Sequence, residues 1–216
     1  TAGIVMCSST DSEITVPSEL DGVRVTAVIK RAFMASTAVT ITLPDGVKTI
    51  GEDAFYACSS LKNLSLPAEL ETIEGDEPFY ACPALESITV RGEGGTYTSA
   101  DGVLLCGETL VAYPKAKADE SYTVPLGVRE IAVSAFAGNA RLKSVEVTKN
   151  VTKIGHYAFD GCTGLESVKL PKGLESVGSD AFYNCTSLKG VRLGSSLTEI
   201  GDYAFGYHYD ARRLGR

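Results

Sequence analysis

The side chains that could carry out chemistry in this chain are its cysteines, histidines and carboxylates, and their spacing argues against an active site. A nucleophile system of the Ser/His/Asp or Cys/His kind needs a histidine beside its partners, and the only histidines are His156 and His208. His156 occupies the same place in a repeated unit as Ser179 and Asp202, so we interpret it as a solvated surface residue. His208 lies in an irregular C-terminal segment. We therefore predict that the protein is not an enzyme.

Four of the six cysteines recur three residues after a phenylalanine, and they are Cys58, Cys82, Cys162 and Cys185. Ser36 and Asn139 fill the same slot elsewhere, which indicates a small buried side chain, and free cysteine packs as a small hydrophobe. Adjacent coils would place the Cα atoms ~4.7–5 Å apart, inside the range of a disulfide, but parallel side-chain directions oppose a bridge. We expect a ladder of buried thiols and make no prediction for Cys7 and Cys106. No cysteine pair has metal-ligand spacing, so we predict neither a metal nor a cofactor.

The phenylalanines beside these cysteines mark a repeat that covers nearly the whole chain. They are separated by 22, 24, 57, 23, 23 and 23 residues, and they are Phe33, Phe55, Phe79, Phe136, Phe159, Phe182 and Phe205. Residues 147–169 and 170–192 are two copies of one 23-residue unit, identical at eight positions. The apolar intervals within the unit suit neither a sustained helix nor a long strand. A fixed period near twenty residues is typical of a solenoid, in which each turn buries its apolar side chains against the next.

The repeated pattern L-P-x-x-V-x-x-I-G-x-x-A-F-x-x-C-x-x-L-x-x-V-x resembles the BspA-type leucine-rich repeat, also called the Treponema pallidum type. Residues 43–65 carry the likeness most fully, at Leu43, Pro44, Val47, Ile50, Gly51, Ala54, Phe55, Cys58, Leu61 and Leu64. The resemblance implies an α/β-type solenoid that is rich in β-structure and winds as a right-handed superhelix. It implies a parallel concave β-sheet of short strands, with helical turns on the convex side. We place the A-F-x-x-C piece in a turn of 3₁₀- or α-helix.

We predict a single leucine-rich repeat domain over residues 1–216. Its parts are an N-terminal cap with a first degenerate repeat (1–42), two regular repeats (43–89), an irregular repeat with a β-hairpin (90–124), regular repeats (125–205) and a C-terminal tail (206–216). The irregular repeat could be a binding protrusion, but we interpret it as an elaborated repeat that keeps the core continuous. The tyrosines of the tail could fold over the last coil.

Between the buried residues of each L-x-x-V-x-L strand, polar side chains should point outward on the concave sheet. The candidate binding face is Thr40, Lys62, Asn63, Glu86, Lys143, Glu146, Glu166, Lys169, Lys189 and Arg192. These residues are small polar or charged and include no aromatic anchor of the kind that dominates interface energetics. Any binding should therefore be weak at each repeat and strengthened by several copies.

Composition limits the partners. A net charge of −7 and a pI of about 4.9 argue against nucleic acid, which needs a clustered basic surface. No apolar run approaches the ~20 residues of a membrane span. From the resemblance we expect a monomeric, non-enzymatic module, exported or on the cell surface, that binds an extracellular protein or glycan in adhesion or cell–cell contact. The alternative is a structural spacer that presents another domain and has no ligand of its own.

Overall fold

The computed structural model describes residues 2–4, 7 and 9–206, which form short strands joined by turns. They pack as two compact units, of which the first ends at Gly107 and the second begins at Glu108. The boundary lies inside the segment 90–124 that the sequence predicts to be irregular. Each unit is a stack of coils, and each coil contributes one strand to each of two parallel sheets. We call the sheet built from the L-x-x-V-x-L strands the face sheet and the other the second sheet.

In the first unit the strands are β1 (Ala2–Ile4), β2 (Glu13–Thr15), β3 (Glu19–Leu20), β4 (Val23–Val28), β5 (Thr40–Thr42), β6 (Thr49–Ile50), β7 (Asn63–Pro67), β8 (Thr72–Ile73), β9 (Ser87–Arg91), β10 (Tyr97–Ala100) and β11 (Val103–Cys106). The face sheet has the order β2-β5-β7-β9 and the second sheet the order β1-β4-β6-β8, all parallel. The short strand β3 pairs antiparallel with β4, and β10 pairs antiparallel with β11.

In the second unit the strands are β12 (Thr109–Ala112), β13 (Ser121–Thr123), β14 (Glu130–Ile131), β15 (Ser144–Glu146), β16 (Lys153–Ile154), β17 (Ser167–Lys169), β18 (Ser176–Val177) and β19 (Glu199–Ile200). The face sheet has the order β13-β15-β17, and the second sheet runs β12-β14-β16-β18-β19 within the unit. The last L-x-x-V-x-L segment, residues 188–193, forms no strand and is joined to β17 by a parallel bridge between Val168 and Val191. The face strands therefore form two separate sheets, one in each unit.

The A-F-x-x-C segments are not helical, so the predicted helical turns are wrong for the described residues. In the coil that contains Phe159, the amides of Tyr157, Phe159 and Gly161 donate to carbonyls of the next coil at 2.7–3.0 Å. The intervening amides of Asp160 and Cys162 donate to carbonyls three residues back in their own coil. Every second amide thus stabilises the stack. In a helix those amides would bond to carbonyls of the same segment instead. Stacking of the coils therefore favours a chain of tight turns.

In most of these segments the alternation comes with a left-handed backbone at two positions. Tyr157 has φ of 56° and Gly161 has φ of 67°. The equivalent residues of the following coil, Asp180 and Asn184, have φ of 55° and 54°. Glycine and asparagine tolerate this region best, which explains Gly138, Gly161 and Asn184 at the later of the two positions; Ala35, Ala57 and Ala81 adopt the same φ without that preference.

Phenylalanine rings stack from coil to coil through the core. Phe136 and Phe159 have ring centroids 4.6 Å apart, and Phe159 and Phe182 have centroids 4.9 Å apart with planes at 4°. In the first unit Phe33 and Phe55 stack at 5.4 Å. All five side chains are at most 1% exposed, so the marker residue of the repeat is confirmed as the centre of the core.

The glycine that follows the second-sheet strand is needed because adjacent coils approach too closely for a side chain. A Cβ on Gly155 would lie 2.7 Å from the amide nitrogen of Val133 in the preceding coil, and a Cβ on Gly178 would lie 2.5 Å from that of His156. Contacts this short with backbone atoms do not relax cheaply. The glycine of the repeat therefore sets the spacing of the stack.

Candidate binding face

Strand alternation brings the predicted binding residues to one surface of each face sheet. In β7 the side chain of Leu64 is buried, whereas its neighbour Asn63 is exposed and Ser65 is half-buried. In β15 the side chain of Val145 is buried, whereas Glu146 is exposed. The same alternation holds along the stack, because the strands are parallel and in register. None of the ten predicted residues is buried.

In the first unit the face carries Thr40, Lys62, Asn63 and Glu86. Thr40 and Asn63 are register partners in β5 and β7, so their side chains lie one above the other. The Nζ atom of Lys62 lies 3.1 Å from a carboxylate oxygen of Glu86 in the next coil. This part of the face therefore presents one ion pair and a column of uncharged polar groups.

In the second unit charges alternate along the stack. Lys143 donates to a carboxylate oxygen of Glu120 at 2.7 Å in the preceding coil, and Lys189 pairs in the same way with Glu166. The hydrogen bond and charge of Glu120 raise the pKa of Lys143. The hydrogen bond and charge of Lys189 lower the pKa of Glu166. These groups form the column Glu120, Lys143, Glu166 and Lys189, with one residue from each coil.

A second column beside it does not keep the alternation. Lys169 pairs with Glu146 of the preceding coil. The bridge between Val168 and Val191 then places Arg192, another cation, next to Lys169. The column therefore reads negative, positive, positive, and the face of the second unit gains positive charge toward its C-terminal end.

The other side chains that could carry out chemistry are the histidines and the possible metal ligands. The Nδ1 atom of His156 accepts a hydrogen bond from the amide of Ser179 at 2.9 Å, so its free lone pair caps a backbone donor. His208 lies outside the described residues. Across residues 2–4, 7 and 9–206, no three metal-binding side chains come together in a group that could hold an ion.

The thiol ladder is present, and it does more than fill space. The Sγ atom of Cys58 donates to the carbonyl oxygen of Phe33 at 3.0 Å, and that of Cys185 donates to the carbonyl of Phe159 at 3.0 Å. The other two ladder cysteines, Cys82 and Cys162, likewise donate to a carbonyl of the preceding coil, at 3.1 Å. All four are buried thiols. The slot thus requires a small donor directed at the preceding coil.

Asn139 shows the same requirement, since its Nδ2 atom donates to the carbonyl of Pro114 at 3.2 Å. Its Oδ1 atom accepts from the amides of Arg141 and Leu142, so the polar atoms of this buried side chain all have hydrogen-bond partners.

Burial also affects the ionisation of the ladder thiols. It raises the pKa of Cys162, and it raises the pKa of Cys185 to about 12.

Tyr113 occupies the place of a core phenylalanine that the sequence pattern did not assign. Its ring stacks on Phe136 with centroids 4.9 Å apart, and its hydroxyl donates to Asp119 at 3.0 Å. The signal was present in the sequence, because Tyr113 precedes Phe136 by 23 residues. The gap of 57 residues between Phe79 and Phe136 is therefore one elongated unit of 34 and one ordinary unit of 23.

Arg91 is a second residue that the pattern missed. Its guanidinium donates to the hydroxyl of Ser65 at 2.8 Å, the carbonyl of Leu43 at 2.6 Å and the carboxylate of Asp45 at 2.8 Å. One side chain on β9 thus joins three consecutive coils of the first unit. Periodicity could not reveal it, since no other repeat of the chain has an arginine at this position.

The hairpin of the irregular repeat packs on the end of the face sheet of the first unit. The carbonyl of Gly102 accepts from the amide of Ile88 at 2.9 Å, and the hydroxyl of Ser99 accepts from the amide of Val90 at 2.8 Å. Val103 and Leu104 are fully buried. The segment therefore extends the core of the first unit and bonds to the amides of β9.

A model of the BspA type leucine rich repeat region matches six copies, over residues 8–99 and 116–212. The chain belongs to this family. No curated protein is significantly similar to this BspA-type protein. Over residues 2–4, 7 and 9–206, no helix is long and apolar enough to cross a membrane.

Solved structures of bacterial leucine-rich repeat proteins share the fold. The pneumococcal vaccine antigen PcpA is 28% identical with a TM-score of 0.74, and the match covers 89% of this chain and 59% of that one. The leucine-rich repeat protein of T. pallidum is 25% identical with a TM-score of 0.50, covering 91% and 76%. One from Bacteroides ovatus is 23% identical with a TM-score of 0.60, covering 94% and 56%. This BspA-type chain thus spans less than two thirds of the length of PcpA.

Proposed function

We propose that this BspA-type chain is a non-enzymatic interaction module that binds an extracellular protein or glycan through its face sheets. The observation that carries the proposal is the regular, exposed set of polar and charged side chains on strands whose inward neighbours alone build the core. Such side chains are free to vary without cost to folding, as a recognition surface requires. The resemblance to PcpA, described as a vaccine antigen, supports a place at the cell surface, because an antigen has to be accessible.

A structural spacer is the second candidate, and the ion pairs between coils favour it. Lys143, Lys169 and Lys189 each pair with a glutamate of the preceding coil. Charges that are satisfied within the chain gain less from a ligand. Under this reading the face stabilises the stack and separates other domains.

Swapping one ion pair distinguishes the two candidates. The double variant Lys189→Glu with Glu166→Lys keeps the pair between coils but inverts the charge pattern of the face. The matched control is Lys153→Glu with Glu130→Lys, a pair of the same kind at 2.9 Å between strands of the second sheet. The control swap should unfold within about 0.5 kcal/mol of the parent protein, since a surface change that keeps its pairing costs little. The face swap also places a lysine next to Lys143 in the column, so its unfolding is measured before its binding is compared.

Binding to arrays of matrix proteins and glycans is then measured for all three proteins. A recognition module loses or changes its ligands in the face swap and keeps them in the control swap. If the parent chain binds no array component and no cell surface above background, the spacer function stands and the module is excluded.

A further inference from the structure

The turns that leave the face sheet carry opposite charges in the two units. We call the four residues that follow the last apolar residue of each face segment the turn row; in the first unit these are residues 17–20, 44–47, 67–70 and 91–94, and in the second they are 125–128, 148–151, 171–174 and 194–197. In the first unit each of these four segments has one acidic residue, and these are Glu19, Asp45, Glu69 and Glu93. The one cation of this row, Arg91, is paired with Asp45. In the second unit the turns contain no acidic residue, and two of them carry Lys149 and Lys172. This contrast is local, because the chain as a whole is acidic, with a net charge of −7.

The two lysines lie on directly stacked coils. A Cβ on Gly173 would lie 3.9 Å from the carbonyl oxygen of Lys149, and a Cβ on Gly194 would lie 2.6 Å from that of Lys172. Asn150 lies in the same coil as Lys149, and its side-chain amide donates to the carbonyl of Leu126 in the coil before it, at 2.7 Å. The turn row of the second unit is therefore a continuous surface along the stack, with a rise of about 4.8 Å per coil.

These cations are exposed and, within the described residues, neither lysine has a carboxylate in ion-pairing distance. Arg192, at the end of the adjacent face column, lies beside Lys169. It is also exposed and, among the described residues, has no carboxylate in ion-pairing distance. This distinguishes these cations from Lys143, Lys169 and Lys189, whose charges are satisfied by glutamates. Three cations of the second unit thus remain available to an external anion.

Resting on the function proposed above, we infer that the turn row of the second unit, with Arg192, binds a linear anionic polysaccharide that lies along the stack. Each exposed ammonium attracts an anion only weakly in water, so a single small anion gains too little. A polymer with repeated charges engages several coils at once and gains by avidity.

The neighbouring side chains favour a sugar polymer over the other polyanions. The row offers exposed hydroxyl groups at Ser195 and Ser196, which can hydrogen-bond to sugar hydroxyls. The hydroxyl of Thr148 donates to the carbonyl of Pro125 at 3.3 Å and can only accept from a ligand. The row contains no aromatic residue on which a nucleic-acid base could stack. Its exposed apolar side chain, Leu126, does not form the buried pocket that anchors a peptide.

The test measures binding of the whole chain to immobilised dextran sulfate and polygalacturonate, with neutral dextran, poly-glutamate and single-stranded DNA as comparisons. Both anionic polysaccharides should bind, neutral dextran should not, and affinity should fall as salt shortens the Debye length from ~10 Å at 0.1 M to ~3 Å at 1 M. The variant Lys149→Gln with Lys172→Gln should weaken binding about tenfold or more. Lys149→Arg with Lys172→Arg should keep it, which also checks folding.

The matched control is Lys48→Gln with Lys153→Gln, which removes the same charge from the second sheets and should leave the affinity unchanged. Equal binding by the Lys149/Lys172 glutamine variant and the parent chain would overturn the inference and leave the module function intact, especially if the face swap abolishes binding. Stronger binding of poly-glutamate or DNA than of either polysaccharide would overturn the ligand class. Failure of the parent chain to bind any array component would remove the module function as well.

Discussion

The two units are built on the same kind of interior and differ at their surfaces. Phe55 in the first and Phe159 in the second are both fully buried. Cys58 and Cys185 both donate, at 3.0 Å, to the carbonyl of the phenylalanine in the preceding coil. The turns on the outside carry acidic residues in the first unit and lysines in the second. Stacking fixes the interior because each coil must fit its neighbour within a fraction of an ångström. The outward positions meet only solvent, so chemistry can diverge there without changing the fold.

The reactivity of the ladder cysteines tests whether the interiors of the two units exclude solvent equally. Burial raises the pKa of Cys185 from 9.0 to about 12, which lowers the thiolate fraction at neutral pH about a thousandfold. Alkylation at pH 8 should therefore be slow at all four ladder cysteines until the protein is denatured, when they react together. A disulfide between Cys58 and Cys82, or between Cys162 and Cys185, found by mass spectrometry would contradict the ladder.

The same thiol gives a pH dependence. Because the folded pKa of Cys185 lies above that of the unfolded chain, its contribution to stability is complete below pH 9 and is lost as the pH rises toward 12. Denaturation midpoints measured from pH 8 to 11 should fall more steeply for the parent protein than for Cys185→Ala. Parallel curves would show that the thiol ionises freely in the native state.

Removing a core ring should give the largest loss of stability. Phe159→Ala and Phe55→Ala should each lower the free energy of unfolding by about 3–5 kcal/mol, the range for a deleted buried aromatic side chain. Denaturant unfolding of the two variants measures whether the interiors are equivalent. Leu126→Ala is the control, since that side chain is 62% exposed. A loss in only one of the two phenylalanine variants would break the equivalence.

Adding one methyl group to the close approach between coils should cost about 1–3 kcal/mol, as overpacking does. In Gly178→Ala the new Cβ would lie 2.5 Å from the amide nitrogen of His156, and in Gly51→Ala it would lie 2.4 Å from that of Lys30. Gly127→Ala meets nothing within 4 Å and should be neutral. Thermal melts of the three variants decide, and equal melting temperatures would refute the close-approach argument.

The smallest effect separates the units. Arg91→Ala should destabilise the first unit by about 1–2 kcal/mol, because three hydrogen bonds are lost at a partly exposed site. The second unit has no equivalent arginine and should keep its protection. Arg129→Ala, which removes an exposed ion pair with Glu108, should change little. Amide hydrogen exchange would locate the loss, and uniform deprotection of both units would contradict the local role of Arg91.

The sequence alone determined the period, the family and the interior. The spacing of Phe136, Phe159 and Phe182 follows from the 23-residue repeat, and the burial of Cys162 follows from its place in that repeat. These predictions hold because a residue that recurs in every coil meets the same neighbours in every coil. The alternation of buried and outward side chains on the face strands is determined in the same way.

The tertiary structure alone decided what depends on contacts between coils. The A-F-x-x-C segments are turns and not helices, because their alternate amides bond to the next coil, and a local pattern cannot show this. Arg91 joins three coils through contacts up to 48 residues apart in sequence. The charges of the face form pairs only when the stack brings Lys189 to Glu166. Each of these features depends on distance through space between residues of different coils, which a one-dimensional period does not contain.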